Sequence, residues 1–197
     1  MRLRRFTTTF TFVGPLLVFA LAALAGPEAA GYRRQDWPHW DRTESGCDVR
    51  RDVIARDASH VSQDPDRACA FVVLALRDPY GGEEIREPAR VDVDHVVPLK
   101  WAHEHGGAAW DRERRRAYAN DVTYRHHLRA VSARLNRQKG ARGPAEWVPP
   151  DRAAHCDYGH WWSAILVRWD LRPGPADRAA IGALLEACRT SAAAWGG

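Results

Sequence analysis

Four cysteines constrain the fold of this chain more than any other feature of its sequence. They occur at Cys47, Cys69, Cys156 and Cys188. An even number of cysteines in an exported protein predicts disulfide bonds. Three pairings are possible, and we favour the two local ones, Cys47 with Cys69 and Cys156 with Cys188. The sequence contains no Cys-x-x-Cys spacing, which argues against a structural zinc site built from these residues.

The N-terminal sequence predicts export. Arg2, Arg4 and Arg5 precede an apolar stretch that ends near Ala25. This stretch is shorter than the ~20 apolar residues of a membrane span, and small residues at its end are typical of a signal peptidase site. We expect residues 1–25 to be a signal peptide, with cleavage after Ala30 as the alternative. The mature protein is expected to be secreted, without stable membrane association.

The charge of the chain is concentrated in one stretch. The whole chain has 29 basic and 25 acidic residues, and removal of the signal peptide would leave a nearly neutral protein. Between Asp111 and Arg142, however, ten residues are basic and three are acidic. A local basic field of this size favours a polyanionic partner.

The pattern of apolar residues predicts an α+β fold in a single domain. Residues 26–45 are predicted to be an irregular leader, and residues 46–197 to be the folded domain. Apolar runs predict strands at residues 70–76 and 91–97, and the sequence Asp78-Pro79-Tyr80-Gly81-Gly82 predicts a turn between them. Helices are predicted at residues 48–58, 110–119 and 130–139, along an apolar stripe from Tyr158 to Trp169, and from Pro175 onwards.

The strand predicted at residues 91–97 contains two aspartates and a histidine among its valines. Side chains alternate along a strand, so Asp92 and Asp94 share one face while Val91 and Val93 take the other. Asp94 is followed directly by His95. Taken alone, this pattern is also typical of an edge strand with a solvated acidic face, so its meaning depends on residues elsewhere in the chain.

Five short motifs, taken in order, resemble the HNH (ββα-metal) endonucleases, and in particular their exported actinobacterial-type branch. The motifs are Asp78–Gly82, Val91–Leu99, Ala119-Asn120-Asp121, Asn136–Gly140 and Pro144–Trp147. The resemblance extends from about Cys47 to Cys188. It implies a ββα-metal core embedded in helices, and a secreted enzyme that hydrolyses phosphodiester bonds. DNA rather than RNA is the expected substrate.

The resemblance also implies roles for individual residues. His95 would be the general base that takes a proton from water. Asp94 and the side-chain carbonyl of Asn136 would bind one divalent cation, Mg²⁺ or Mn²⁺. Arg137 and Lys139 would bind flanking phosphates.

The residue that orients the catalytic histidine departs from the family pattern. His127 stands where an asparagine is expected, although histidine can also form hydrogen bonds through either ring nitrogen. Asn120 is the other candidate for this catalytic role.

Two functions of other classes compete with the endonuclease. One is a secreted nucleic-acid-binding protein whose metal site has decayed, which the substitution at His127 suggests. The other is a zinc-dependent hydrolase that uses His103, His105 or His126. The sequence lacks a His-Glu-x-x-His spacing, and we therefore expect His103 and His105 to lie in a solvated loop. Dependence of activity on the divalent metal separates these functions from an HNH endonuclease.

Overall fold

A computed structural model describes residues 31–194, with side chains described for all of these except residue 73 and residues 189–194. The predicted signal peptide and its cleavage positions lie outside the described residues. The helices are α1 (Val49–Asp57), α2 (Leu99–Glu104), α3 (Arg112–Ala119), α4 (Ala133–Lys139), α5 (His155–Trp169) and α6 (Pro175–Ala194). The strands are β1 (His60–Gln63), β2 (Phe71–Arg77), β3 (Glu84–Ile85), β4 (Val91–His95) and β5 (Leu128–Ser132). None of these helices is both long enough and apolar enough to cross a membrane.

Strands β4 and β5 form a two-stranded antiparallel sheet, with Val91 opposite Ser132 and His95 opposite Leu128. Helix α4 begins at Ala133, directly after β5, and packs against β4. The remaining strands form a second antiparallel sheet in the order β1-β2-β3. The chain therefore has a mixed α/β architecture in which two paired strands and a helix converge at β4.

Each face of the β4–β5 sheet adjoins a different hydrophobic cluster. The valines of β4 belong to a cluster with α1 and β2, whose buried members include Val91, Val93, Ile54 and Leu74. Val131 of β5 belongs to the other cluster, together with residues of α4 and α5. This division agrees with the predicted alternation along β4, because Val91 and Val93 pack on one face and the two aspartates are left for the other.

Both predicted disulfides are confirmed. Cys47 is bonded to Cys69 with their Cα atoms 5.6 Å apart, and Cys156 is bonded to Cys188 with their Cα atoms 4.9 Å apart. The second bond joins α5 to α6. The predicted apolar stripe of α5 is also confirmed, because Tyr158, Trp162 and Ile165 are fully buried. Each disulfide thus links segments that also pack together through apolar groups.

The predicted helix at residues 130–139 is wrong at its start. Leu128–Ser132 is strand β5, and α4 begins only at Ala133. Ala130 and Val131 are both fully buried but belong to different clusters, as side chains on opposite faces of a sheet do. Pairing with β4 therefore overrides the local helical pattern. The strand predicted at residues 91–97 ends at His95, shortly before Pro98.

The solvated loop predicted around His103 and His105 is also wrong. Residues Leu99–Glu104 form α2, and His103 is buried. Its ring centroid lies 5.7 Å from that of Tyr32 and 6.3 Å from that of Trp37. The half-buried His105 is stacked on Trp101 at 3.7 Å. Both histidines therefore pack among aromatic rings rather than in solvent.

Residues 31–45 contain one 3₁₀ turn at Arg34–Asp36 and an isolated bridge between Arg42 and Asp48, and are otherwise irregular. They nevertheless contribute to the core. Trp37 is fully buried, with its ring centroid 5.5 Å from that of Tyr118 and 5.7 Å from that of Trp110. This segment is therefore packed against the same aromatic cluster as α3.

Candidate active site

One cleft collects side chains from β4, α4 and the N-terminal segment. It has a volume of about 360 Å³, and its lining includes Asp94, His95, Asn136, Arg137 and Arg34. Helix α4 follows β5 without a loop, and β5 pairs with β4. Asn136 of α4 is therefore held near Asp94 and His95 of β4. The three residues predicted to bind the metal or activate water thus line the same cleft.

Asp94 is held by two buried donors. Its Oδ2 accepts a hydrogen bond from the Tyr80 hydroxyl at 2.7 Å, and the Lys139 ammonium lies 3.0 Å from Oδ1 and 2.9 Å from Oδ2. Burial raises the pKa of Asp94 above its usual value, and the Lys139 charge and the Tyr80 hydroxyl oppose this shift. The carboxylate is therefore fixed in position and compensated in charge.

Lys139 does not lie where its predicted role requires. The side chain is fully buried, and the ammonium also donates to the backbone oxygen of His95 at 3.0 Å. A lysine that binds phosphate has to reach the surface, as the neighbouring Arg137 does. The prediction that Lys139 binds a flanking phosphate is therefore wrong for this arrangement, because its charge is used inside the protein to pair with Asp94.

His95 is oriented by a backbone carbonyl. Its Nε2 lies 2.8 Å from the oxygen of Ala119, the last residue of α3, so Nε2 carries a proton in this contact and Nδ1 has the lone pair. Burial lowers the pKa of His95 well below its usual value, and the nearby His127 adds to this effect. The imidazole is therefore neutral at neutral pH and able to accept a proton at Nδ1.

His127 lies beside His95 but does not bind it. The two ring centroids are 6.2 Å apart with the rings nearly perpendicular, and no hydrogen bond joins the two side chains; the backbone of Tyr118 is the group that interacts with the His127 ring. Burial is the main cause that lowers the pKa of His127 to about 4. The contact expected of an orienting residue is made instead by the Ala119 carbonyl.

Asn120 fixes the backbone next to that carbonyl. Its side chain accepts a hydrogen bond from the backbone nitrogen of Asp41 at 2.9 Å and donates to the backbone oxygens of Pro38 and Arg116 at 3.0 and 2.8 Å. Asn120 therefore ties the N-terminal segment to the end of α3, one residue from Ala119. Its side chain acts on His95 indirectly, through the position of the backbone.

Asn136 is oriented by Asp92, the other aspartate of β4. Its Nδ2 donates to Oδ2 of Asp92 at 3.4 Å, and Asp92 is also 3.5 Å from a guanidinium nitrogen of Arg50. With the amide nitrogen engaged in this way, the side-chain oxygen of Asn136 is the atom left to act as a ligand. Asp92 thus supports Asn136 from the same face of β4.

The three histidines proposed for a zinc site are not grouped with other possible ligands in the part of the chain that the structure describes. Among the described residues, no group of three possible metal ligands includes His103, His105 or His126. His126 instead stacks on Trp161 at 4.9 Å and lies 2.8 Å from a guanidinium nitrogen of Arg129. One such group does occur at Cys156, His160 and Cys188, but its two sulfur atoms are joined in a disulfide and are not thiolates.

Several residues of the site were not predicted from the sequence. Tyr80 belongs to the first of the five motifs and to a predicted turn, but its contact with Asp94 was not predicted. Asp78 anchors this turn to β5 by accepting a hydrogen bond from the Ser132 backbone nitrogen at 3.0 Å. Arg34 and Trp40 fall in the segment read as a leader. A tryptophan pair at residues 37 and 40 was the available signal that this segment packs onto the domain, since buried aromatics contribute strongly to a core.

The sequence of the chain is similar to those of known proteins. The model of the GmrSD restriction endonuclease C-terminal domain matches residues 48–170, a range that contains Tyr80, β4, β5 and α4. An uncharacterized secreted protein of Arthroderma benhamiae is 34% identical over 163 residues, which cover 83% of this chain and 78% of that protein. No solved structure matches the chain. The chain belongs to the family of GmrSD restriction endonuclease C-terminal domains.

Proposed function

We propose that the protein is a secreted HNH-type endonuclease that hydrolyses phosphodiester bonds with the help of one divalent cation. DNA is the expected substrate. The observation that carries this proposal is the convergence of Asp94, His95 and Asn136 on one cleft. The order β4, β5, α4 supports it, because two antiparallel strands followed directly by a helix are the arrangement that a ββα-metal core requires. Membership in a family of restriction endonuclease domains points to the same chemistry.

The donor atoms in the cleft fit a hard cation such as Mg²⁺ or Mn²⁺. A carboxylate has about four acceptor positions, and the hydrogen bonds from Tyr80 and Lys139 occupy one on each oxygen of Asp94. Acceptor positions of Asp94 are therefore left for a metal, and the Asn136 oxygen supplies a second oxygen ligand. When bound, the cation would stabilise the charge that develops on the phosphate and on the leaving oxygen.

The residues of the chain would act on water and substrate as follows. Nδ1 of His95 accepts the proton of a water molecule while the water oxygen bonds to phosphorus and the bond to the leaving oxygen breaks. The Ala119 carbonyl keeps the His95 ring in the tautomer that leaves Nδ1 basic. Arg137, which is exposed on α4, is placed to bind a phosphate that flanks the cleft.

Incubation of the mature protein with supercoiled plasmid tests this function. We expect nicking in Mg²⁺ or Mn²⁺ and none in excess EDTA. Binding of the plasmid without cleavage under any metal would favour a nucleic-acid-binding protein. Activity that depends on tightly bound zinc would favour a zinc hydrolase.

Binding of the metal is tested separately by calorimetry with Mn²⁺. Asn136→Ala is expected to weaken Mn²⁺ binding, and higher Mn²⁺ should partly restore the cleavage rate. Gln138→Ala is the matched control, because Gln138 is an exposed residue of the same helix and does not line the cleft. Equal Mn²⁺ affinity in the two variants would remove Asn136 from the metal site.

A further inference from the structure

The N-terminal segment forms one side of the cleft. Tyr32 and Arg34 line the cleft together with Asp94, His95 and Asn136. We refer to residues 32–41 as the strap. The matched family domain begins at residue 48, so the strap precedes it in the sequence and is not assigned a role by that comparison.

The part of the strap that passes His95 is anchored on both sides of Trp40. Trp37 is fully buried, and Asp41 forms a salt bridge with Arg116 at 2.8 Å. Asn120 binds the backbone at Pro38 and Asp41. Between these anchors Trp40 adopts a left-handed φ of 63°, which is uncommon for a residue other than glycine, and its ring centroid lies 5.5 Å from that of His95. The strap is therefore a built part of the cleft.

Arg34 differs from its neighbour Arg33 in its partners. Arg33 forms two hydrogen bonds with the Asp36 carboxylate, at 2.9 and 3.2 Å. Arg34 contacts the ring of His39 at 3.1 Å, and no carboxylate among the described residues forms a salt bridge with it. The strap thus presents a guanidinium whose charge is not compensated by a nearby acid.

The charges around the cleft suit an anionic chain. Arg34 lies in the strap and Arg137 in α4, and both line the cleft and are exposed. Lys100 of α2 also lines the cleft, although its ammonium lies 3.7 Å from the Glu104 carboxylate. Asp94 adds little negative field at this rim, because it is paired with the buried Lys139. A guanidinium can bind a phosphate through two parallel hydrogen bonds, which makes a phosphodiester backbone the ligand that this rim fits.

We infer that the strap is a substrate-binding wall, in which Arg34 binds a backbone phosphate of the nucleic acid next to the bond that is cleaved. This inference rests on the proposed endonuclease function. On this basis the substrate backbone passes between the strap and α4, with Arg34 on one side and Arg137 on the other. The N-terminal segment is then part of the enzyme's recognition surface.

Binding of a fluorescein-labelled DNA duplex to the His95→Ala protein in EDTA tests the inference without cleavage. Added to this background, Arg34→Ala should weaken binding about three- to tenfold and should lower the slope of log affinity against log salt by roughly 0.9, the value for one lost phosphate contact. Arg34→Lys should retain most of the slope, because it keeps the charge. Arg33→Ala is the matched control, since it removes the same charge one residue away.

The outcomes separate the two proposals. A smaller slope in Arg34→Ala than in Arg33→Ala supports the binding wall. Equal affinities and slopes in these two variants would overturn it, while metal-dependent nicking by the wild-type protein would leave the endonuclease function in place. A wild-type protein that neither binds nor nicks DNA in any metal would overturn both.

Discussion

The two faces of the β4–β5 sheet bury their side chains in different ways. On one face, Val91 and Val93 contact apolar groups of α1 and β2. On the other, Asp94 is as well buried as the valines, with 5% of its surface exposed, but its contacts are the directed ones with Tyr80 and Lys139. The same short sheet therefore contributes both a part of the core and the base of the cleft.

This difference determines how each face should respond to substitution. Apolar packing is non-directional, and its loss costs free energy in proportion to the group removed. A buried ion pair is different, because removal of one partner leaves an uncompensated charge in a medium of low polarity. We therefore expect the acidic face to be the less tolerant of the two, both in stability and in function.

The largest loss of stability is expected at Lys139. Lys139→Met should lower the free energy of unfolding by about 3–5 kcal/mol, because the Asp94 carboxylate is left buried without its counter-charge. Urea denaturation measures this difference. Arg137→Met is the control on the same helix, where an exposed charge should cost less than about 0.5 kcal/mol.

The double variant Asp94→Asn, Lys139→Met sharpens this test. Removing both charges should recover part of the stability that Lys139→Met loses. If Lys139→Met costs no more than Arg137→Met, the ion pair does not hold the acidic face together.

A somewhat smaller loss is expected on the apolar face. Leu74 of β2 is almost fully buried in the cluster that covers Val91 and Val93, and Leu74→Ala should cost about 2–5 kcal/mol. Because Leu74 does not line the cleft, the cleavage rate of the folded variant should stay within about twofold of the wild type. A loss of rate comparable to that of a cleft variant would contradict the separation of the two faces.

The sequence predicted the convergence of three cleft residues better than it predicted their surroundings. Asp94, His95 and Asn136 belong to short motifs that resemble the HNH endonucleases, and this resemblance predicted that they lie together, as they do in the cleft. The two disulfides could be predicted because each joins cysteines that are near in the sequence. These features depend on local order, which a single sequence displays directly.

Other features depend on contacts between distant segments. Residues Ala130 and Val131 precede a helix and read as part of it, and only pairing with β4 makes them a strand. Lys139 lies among arginines and reads as a surface cation, since nothing local shows that its ammonium meets Asp94. The tryptophans at residues 37 and 40 indicate that their segment packs onto the domain, but nothing local shows that Trp37 packs against Tyr118.

A still smaller effect on stability is expected from pH, through His127. Burial lowers its pKa to about 4 in the folded protein, whereas an unfolded histidine has a pKa of about 6.5. Below pH 6.5 the unfolded state therefore binds a proton that the folded state does not. The contribution of His127 to the free energy of unfolding is complete above pH 6.5. It is lost as pH falls towards 4, and the loss is at most about 3 kcal/mol.

His127→Phe tests this contribution, because phenylalanine keeps an aromatic ring at this position but does not titrate. The free energy of unfolding is measured at pH 7 and at pH 4 for both proteins. The decrease between these pH values should be smaller in the variant than in the wild type, by up to about 3 kcal/mol. His95 is present in both proteins, and loss of the His127 charge should raise the pKa of His95, which reduces the pH dependence of the variant in the same direction. An identical pH dependence in the two proteins would show that His127 does not differ in protonation between the folded and unfolded states.

The rate of plasmid nicking by His95→Ala tests most directly whether the cleft beside β4 is an active site. With Mn²⁺ and saturating plasmid, the rate should fall by ~10²–10⁴ relative to the wild type, while DNA affinity stays nearly unchanged because phosphate contacts dominate it. His60→Ala, at an exposed position of β1, should nick at the wild-type rate. Equal rates for His95→Ala and the wild type, in preparations free of host nuclease, would contradict the account.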